Sequence, residues 1–195
     1  MQSTGSVPDY TFLDQMEAAG PFHAAECFQC RKCTSGCPAT FAMDLMPDQV
    51  IRYALLGLKE EVLRSRTIWV CASCETCTTR CPNGIQIAEI MDYFKELAVR
   101  EGIPSPVPQV LALHETFLDN VRQGGRVFEG SLLPIFFLRS GQLREKLRKG
   151  TWRDDARMGW RLLRKRRFAL APRPIKAREE IRSILRPSKR RGVLP

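Results

Sequence analysis

All eight cysteines of this 195-residue chain fall into two runs with one spacing. The first run, C-x2-C-x2-C-x3-C-P, consists of Cys27, Cys30, Cys33 and Cys37. The second run repeats it to the residue with Cys71, Cys74, Cys77 and Cys81. Two residues between cysteines let a tight turn bring three thiols around one short loop. The prolines that end the runs, Pro38 and Pro82, prevent a regular helix from continuing there. The repeat therefore indicates a fold built around two groups that thiolates hold.

This spacing is typical of cubane iron–sulfur ligation, in which the fourth cysteine of a run ligates the other cluster. Soft anionic thiolates suit such clusters. We therefore predict two [4Fe–4S] clusters with exchanged ligands. One is expected to be held by Cys27, Cys30, Cys33 and Cys81. The other is expected to be held by Cys71, Cys74, Cys77 and Cys37.

Zinc and disulfide bonds are the two alternatives for these cysteines. Zinc sites usually pair C-x2-C units across a dozen or more residues, whereas three cysteines here crowd together at two-residue gaps. Disulfide frameworks belong to small secreted domains, and we expect no signal peptide in this chain. Reduced cysteines that bind metal favour a cytoplasmic location, which includes the cytoplasmic face of a membrane.

The charge is distributed unevenly along the chain. Residues 1–120 contain 9 Lys and Arg against 15 Asp and Glu, whereas residues 121–195 contain 22 against 6. The net charge is thus −6 in the first part and +16 in the second. The electric field of such an uneven charge distribution affects how the protein attracts and docks partners, and it does not determine the fold. The basic part has three interpretations: docking of an acidic partner protein, contact with an anionic membrane face, or nucleic-acid binding.

The hydrophobic pattern predicts helices between and around the cysteine runs, which excludes the small β-rich ferredoxin. We predict helices at 11–19, from Pro47 to Leu58, and at 59–66, 85–100, 106–121, 141–149, 152–167 and 175–185. The expected buried stripe of the helix at 85–100 is Ile87, Ile90, Met91, Phe94, Leu97 and Ala98. The predicted fold is all-α, an α-helical ferredoxin core with a basic helical C-terminal extension. We divide it into a disordered lead at 1–10, the ferredoxin domain at 11–104, a docking extension at 105–186 and a flexible tail at 187–195.

Several residues near the cysteines are secondary candidates, each with an ordinary structural alternative. Arg31, Lys32 and Arg80 could raise a cluster potential or be solvated loop charges. Gln29, Ser73 and Thr76 are candidate hydrogen-bond donors to sulfur. Phe28, Ile68, Val70, Ile85 and Ile87 could shield the clusters or form ordinary core. His23 and His114 are expected to be packed or surface residues, and Asn83-Gly84 a turn. The apolar run 132–138 is too short to span a membrane and is expected in the core or an interface.

The chain resembles the C subunit of heterodisulfide reductase over residues 10–186. The similar segments are CFQCRKCTSGCP at 27–38, CASCETCTTRCPNGIQI at 71–87 and HETFLDNVRQGGRVFE at 114–129. The resemblance implies a helical two-cluster relay in a complex that serves sulfur metabolism. In that family the A subunit holds a flavin and further clusters, and the B subunit, with CCG repeats, holds the thiol/disulfide-active site. The C subunit passes electrons between them.

We therefore expect a non-catalytic electron-transfer subunit with no catalytic residues of its own, and a substrate site on another protein of the complex. One alternative is the iron–sulfur subunit of a membrane-associated, quinone-linked oxidoreductase, which would use peripheral membrane contact. An alternative of another class is an iron–sulfur protein that binds nucleic acid through its basic third. Few aromatic residues interleave with the basic ones and no reader motif is present, so we expect no nucleic-acid partner.

Overall fold

The computed structural model of this chain describes residues 8–165, 167 and 175–185. Every regular element in these ranges is a helix, which confirms the predicted all-α class. The chain divides into two compact units, of which the first ends at Val107 and the second begins at Pro108. The predicted flexible tail at 187–195 and residues 1–7 of the predicted lead lie outside the described residues.

The described residues of the first unit form seven α-helices and the two cysteine loops. They are α1 Phe12–Ala19, α2 Lys32–Gly36, α3 Pro47–Leu55, α4 Lys59–Leu63, α5 Arg66–Val70, α6 Thr76–Thr79 and α7 Ile87–Arg100. The predicted helix over 59–66 is confirmed with an earlier end, since α4 ends at Leu63 and a separate helix, α5, begins at Arg66. Between them the Ser65 hydroxyl donates a hydrogen bond to the carbonyl of Val62 at 2.7 Å. The short helices α2 and α6 lie inside the cysteine runs and pack against each other.

Helix α7 forms one side of the core of this unit. All six residues of its predicted stripe are buried, as helical spacing requires. The ring of Phe12 in α1 stacks on Phe94 with centroids 5.6 Å apart. Val50, Ile51 and Ala54 of α3 are also fully buried. This core supports the loops that precede α2 and α6.

Asp9 ties the start of the described chain to the turn after α3. The Asp9 N–H donates to the carbonyl of Gly57 at 2.8 Å. Gly57 has φ +70°, and a Cβ atom there would collide with the backbone of Asp9. Glycine is required by both the left-handed backbone and the close approach.

The second unit contains the remaining helices that the structure describes. They are α8 Pro108–Gly124, α9 Glu129–Arg139, α10 Gln142–Lys149, α11 Trp152–Arg164 and α12 Arg178–Ile184. These confirm the helical predictions after residue 105, with shifted ends, although Arg166 lies outside the described residues. Helix α9 is an addition to the predicted set, because Pro134 favours an interruption of the pattern. This proline lies inside the helix, in the second turn, where its missing N–H removes one backbone bond.

Polar contacts hold α8 to α9. The buried Asn120 accepts a hydrogen bond from the Phe128 N–H at 2.7 Å and donates one to the Ser131 hydroxyl at 2.6 Å. Arg139 pairs with Asp119 at 2.7 Å. The first backbone N–H groups of a helix lack partners within that helix. Asn120 of α8 thus supplies the acceptor for the N–H of Phe128, the residue that precedes α9.

Much of the apolar surface of the second unit is exposed. The exposed large side chains are Leu113, Phe117, Leu133, Leu138, Leu147, Trp152, Met158, Trp160, Leu162 and Ile184. Leu133 and Leu138 belong to the run 132–138, so the core interpretation of that run does not hold in this chain. None of the described helices is long and apolar enough to cross a membrane.

Candidate metal centre

The first cavity brings together four cysteines from both runs. Its wall includes Cys27, Cys30, Cys33 and Cys81. The fourth cysteine comes from the second run, as the exchanged arrangement predicts.

The second cavity has the reciprocal composition. Its wall includes Cys71, Cys74, Cys77 and Cys37. All eight cysteines are free thiols rather than disulfides in this structure. The four cysteines of each predicted set therefore surround a common cavity, although ligation itself stays a prediction.

The arrangement of the thiols suits a multi-atom group better than a single ion. Four thiolates on one zinc ion converge to about 2.3 Å from it. Within the described part of the chain, no three His, Cys, Asp or Glu side chains form such a single-ion group. Thiolate is the ligand that cubane iron–sulfur clusters require, so the donor set fits.

The two loops share one backbone conformation around their second cysteine. Gln29 and Arg31, on either side of Cys30, have φ +56° and +62°. Ser73 and Glu75, on either side of Cys74, have φ +49° and +59°. Non-glycine residues rarely adopt this left-handed region, and its repetition indicates that the surroundings impose it. Cys30 and Cys74 are also the two exposed cysteines.

Two of the three predicted donors contact sulfur. The Gln29 amide donates to Cys27 Sγ at 3.2 Å, and the Thr76 hydroxyl lies 3.4 Å from Cys74 Sγ. Ser73 instead donates its hydroxyl to Asp92 at 2.7 Å. Hydrogen bonds to sulfur stabilise the more negative state of a cluster and so affect its potential.

The thiols differ in how easily they lose a proton. Burial raises the pKa of Cys77 to about 11, and it also raises the pKa values of Cys33 and Cys71. The hydrogen bond from the Thr76 side chain lowers the pKa of the exposed Cys74. Since metals bind the thiolate, loading the buried positions releases protons.

A buried acid at the first cavity is absent from the predicted set. Asp48, at the start of α3, lines the cavity and is almost completely buried. The Thr34 hydroxyl donates to its carboxylate, and the Asp48 N–H donates back to Thr34 Oγ1 at 3.2 Å. Arg31 lies 3.6 Å from the other carboxylate oxygen. Asp48 therefore places a carboxylate close to the first group of cysteines.

A lysine at the second loop is likewise absent from the predicted set. Lys95 of α7 donates through Nζ to the carbonyl of Cys71 at 3.0 Å and to Asp92 at 2.8 Å. Its side chain is only 13% exposed. Neither Lys95 nor Asp48 lies within a cysteine run, so only the tertiary fold brings them to the cysteine loops.

The other secondary candidates divide between the cavities and the general fold. Ile85 and Ile87 are buried and line the first cavity, and Phe28 lines it although the ring is 77% exposed. Ile68 is buried in the core of the first unit. The Arg80 side chain is so close to Gly36 that a Cβ there would lie 2.6 Å from Arg80 Cδ.

The remaining predictions concern residues outside the cavities. His23 is exposed, 3.6 Å from Glu26, and His114 is exposed on α8. The Asn83-Gly84 turn is confirmed, since the Gly84 N–H donates to the carbonyl of Cys81 at 3.3 Å. The Asn83 amide also donates to the carbonyl of Glu26, which joins the two loops.

Residues 23–85 match the family model of the 4Fe-4S dicluster domain. The chain is 34% identical over 98 residues to the C subunit of the H(2):CoB-CoM heterodisulfide,ferredoxin reductase of Methanothermobacter marburgensis. It is 35% identical over 94 residues to the C subunit of the Ferredoxin:CoB-CoM heterodisulfide reductase of Methanosarcina mazei. Over this region the chain is similar to the C subunits of heterodisulfide reductases.

The similarity to this family is partial in both directions. The Methanothermobacter alignment covers 50% of this chain and 53% of the relative, and the Methanosarcina alignment covers 48% and 57%. The iron-sulfur C subunit of the CoB--CoM heterodisulfide reductase of Methanopyrus kandleri is 32% identical over 87 residues, 45% of each protein. The chain thus spans about half the length of the curated relatives it matches. The match to the 4Fe-4S dicluster domain identifies residues 23–85 as an iron–sulfur domain.

Proposed function

We propose that this chain is the electron-transfer subunit of a heterodisulfide-reductase-type complex. It carries electrons through two [4Fe–4S] clusters with exchanged ligands, between a flavin-bearing iron–sulfur protein and a thiol/disulfide-active protein of the complex. The observation that carries the proposal is the gathering of four cysteines from both runs around each of two cavities.

The ligands of this proposal are the eight cysteines. Cys27, Cys30, Cys33 and Cys81 hold the first cluster. Cys71, Cys74, Cys77 and Cys37 hold the second. When bound, each cluster accepts and releases one electron at a time. Since each run contributes to both sets, the two sites are close by construction.

The side chains around the cavities exclude water and shape the local charge. Ile51, Ile85 and Ile87 present buried apolar surface to the first cavity, and Ala88 and Met91 do so at the second. Asp48 and Lys95 supply fixed charges of opposite sign. One cysteine of each set, Cys30 or Cys74, is exposed and gives electrons a short route to a partner.

The names of the relatives support a heterodisulfide-reductase-type complex. They are described as heterodisulfide reductase subunits, and some as ferredoxin reductase subunits. A relay of this kind has no bond-making site, so we assign the thiol/disulfide chemistry to a separate protein of the complex.

The second unit fits the docking role proposed for residues 105–186. Helices α10 and α11 carry eight Lys and Arg against three Asp and Glu. Exposed aromatic residues such as Trp152 and Trp160 accompany them. Aromatic and arginine side chains are enriched in protein interfaces, and a basic surface attracts an acidic partner.

Anaerobic purification with native partners tests the proposal. The chain is expected to contain about eight irons, to be brown and to give EPR signals on reduction. It should co-purify with a flavoprotein and a CCG-repeat protein. A colourless zinc protein, or salt-sensitive retention of nucleic acid without redox partners, would overturn it. Co-purification with a membrane cytochrome instead would move the protein to a quinone-linked complex.

A further inference from the structure

The surroundings of the two exposed cysteines differ in chemistry although the backbone is alike. Arg31 follows Cys30 and Glu75 follows Cys74, both with left-handed φ. The opposite charges therefore occupy equivalent places in the two loops. Holding a cluster requires the backbone turn and the thiol, and neither depends on the sign of this charge.

The neighbouring positions extend the contrast. Phe28 and Lys32 of the first run correspond to Ala72 and Thr76 of the second. We name Phe28, Cys30, Arg31 and Lys32 the Cys30 surface; all four are exposed and line the first cavity. It has two positive charges, whereas the equivalent positions of the second loop have one negative charge.

The individual contacts of these residues leave the surface accessible. The Phe28 ring is 77% exposed and the Arg31 side chain 79%. Arg31 makes a 3.6 Å ion pair with Asp48, and its exposure means that solvent screens this pair. A lone exposed aromatic residue is ordinary. An aromatic ring and two cations around an exposed cluster ligand form the composition found at protein interfaces.

We propose that the Cys30 surface docks the acidic face of a one-electron carrier protein, and that Glu75 turns this partner away from the second loop. This inference rests on the proposed function and adds the chemistry of one partner and the place where it binds. Arg31 and Lys32 attract the acidic face over a distance comparable to the Debye length, which raises the association rate. Phe28 then buries apolar surface beside Cys30 in the encounter complex.

The test uses reduced flavodoxin, an acidic FMN protein, as the probe and the full chain with its clusters as acceptor. One electron leaves the reduced flavin and enters the chain, with no bond made or broken. Stopped-flow absorbance measures the second-order rate constant at low salt. The Arg31→Gln/Lys32→Glu variant is expected to lower it about tenfold or more. Added salt should shrink the difference between variant and wild type.

Matched variants separate docking from general charge and from misfolding. Arg64→Gln/Arg100→Glu makes the same charge change at exposed residues of the first unit that line neither cavity, and should leave the rate within about twofold. Lys32→Glu alone keeps the Arg31–Asp48 contact and should still slow transfer. Each variant is compared at equal iron content and equal visible absorption. Glu75→Lys should raise the rate, because it gives the second loop a cation at the equivalent position.

Carbodiimide cross-linking to flavodoxin locates the contact independently of rates. Lys32 is expected to be the dominant site. Cross-links confined to Lys146 or Lys149, or equal rates for wild type and the Arg31→Gln/Lys32→Glu variant, overturn the docking proposal. So does a wild-type chain that dithionite reduces but reduced flavodoxin does not. A chain that binds no clusters overturns the proposed function itself, which is a different result.

Discussion

The carboxylate of Asp44 accepts a hydrogen bond from the backbone N–H of Arg66 at 2.7 Å. It also accepts bonds from the N–H and hydroxyl of Thr67 at 3.0 and 2.8 Å. Asp44 lies 22 residues before Arg66 and satisfies the free N–H groups at the start of α5. That helix leads directly into Cys71, so the cap fixes the start of the second loop.

Replacing Asp44 with Ala should lower the free energy of unfolding by about 1–2 kcal/mol, the usual cost of losing a helix cap. Denaturant unfolding of the reconstituted chain at pH 7 measures it. Glu115→Ala, at an exposed acid of α8, is the control and should change stability by less than about 0.5 kcal/mol. Equal stability of Asp44→Ala and wild type would contradict the capping role.

The Asp44 cap should also depend on pH. Burial raises the pKa of Asp44, but hydrogen bonds from Arg66 and Thr67 outweigh it and lower the pKa below the ordinary 3.8. A lowered folded-state pKa gives stability that is complete above the unfolded value and is lost as the pH falls through the folded value. The stability gap between wild type and Asp44→Asn should thus be constant above about pH 5 and shrink below pH 4. A stability difference that widens as the pH falls would contradict the lowered pKa of Asp44.

Asn120 should stabilise the junction of α8 and α9. Asn120→Ala leaves the Phe128 N–H without its acceptor, which costs about 1–3 kcal/mol when such a group is buried. Hydrogen exchange of residues 125–132 should accelerate, while exchange in α7 stays at the wild-type rate. Unchanged exchange at Phe128 would show that another group accepts its hydrogen bond.

The parts of the fold that follow from local pattern can be predicted from the sequence. The stripe of α7 and the turn at Gly84 depend on neighbouring residues, and both predictions are confirmed. The break between α4 and α5 escapes prediction because Asp44, which caps α5, is distant in the sequence. Helix α9 is not predicted, because a proline in the sequence usually indicates the end of a helix. In the structure the helix continues through Pro134.

The candidate site shows the same division. The cysteine spacing predicts both sets of four cysteines. Runs with this spacing typically contribute their fourth cysteine to the other cluster. Asp48 and Lys95 belong to helices that no motif distinguishes. Their position beside the cysteine loops depends on how α3 and α7 pack. Periodicity predicts only that those helices are amphipathic.

The exchanged ligation can be tested by comparing single cysteine variants. Cys81 lines the same cavity as Cys30, so Cys81→Ser and Cys30→Ser should alter the same EPR signal of the reduced chain. Cys77→Ser should alter the other signal. If Cys81→Ser instead matched Cys77→Ser, each run would hold its own cluster and the exchanged assignment would be wrong.

Asp48 should lower the potential of the first cluster. A reduced cluster is the more negative state, and the buried carboxylate repels that charge. Asp48→Asn keeps an acceptor for Thr34 and should raise the potential by an amount on the order of tens of millivolts. An EPR-monitored redox titration measures both clusters in one sample. The second cluster is the internal reference, and an equal shift of both would exclude a local effect of Asp48.

Lys95 should act in the opposite direction at the second cluster. Its ammonium lies 3.0 Å from the carbonyl of Cys71, and its charge favours the thiolate of that residue. The same charge stabilises the reduced cluster, so Lys95→Met should make the potential more negative, on the order of tens of millivolts. Asp92 is released from its ion pair in this variant and adds to the shift.

Lys59→Met is the matched control for Lys95→Met. Lys59 is similarly sheltered, with 21% of its side chain exposed, and pairs with Glu101 at 2.6 Å. It contacts neither cysteine loop among the described residues. The control should therefore keep both potentials while losing a similar ion pair. If Lys59→Met shifted the second potential as much as Lys95→Met, the change would come from a general loss of stability, and Lys95 would have no specific effect on the cluster.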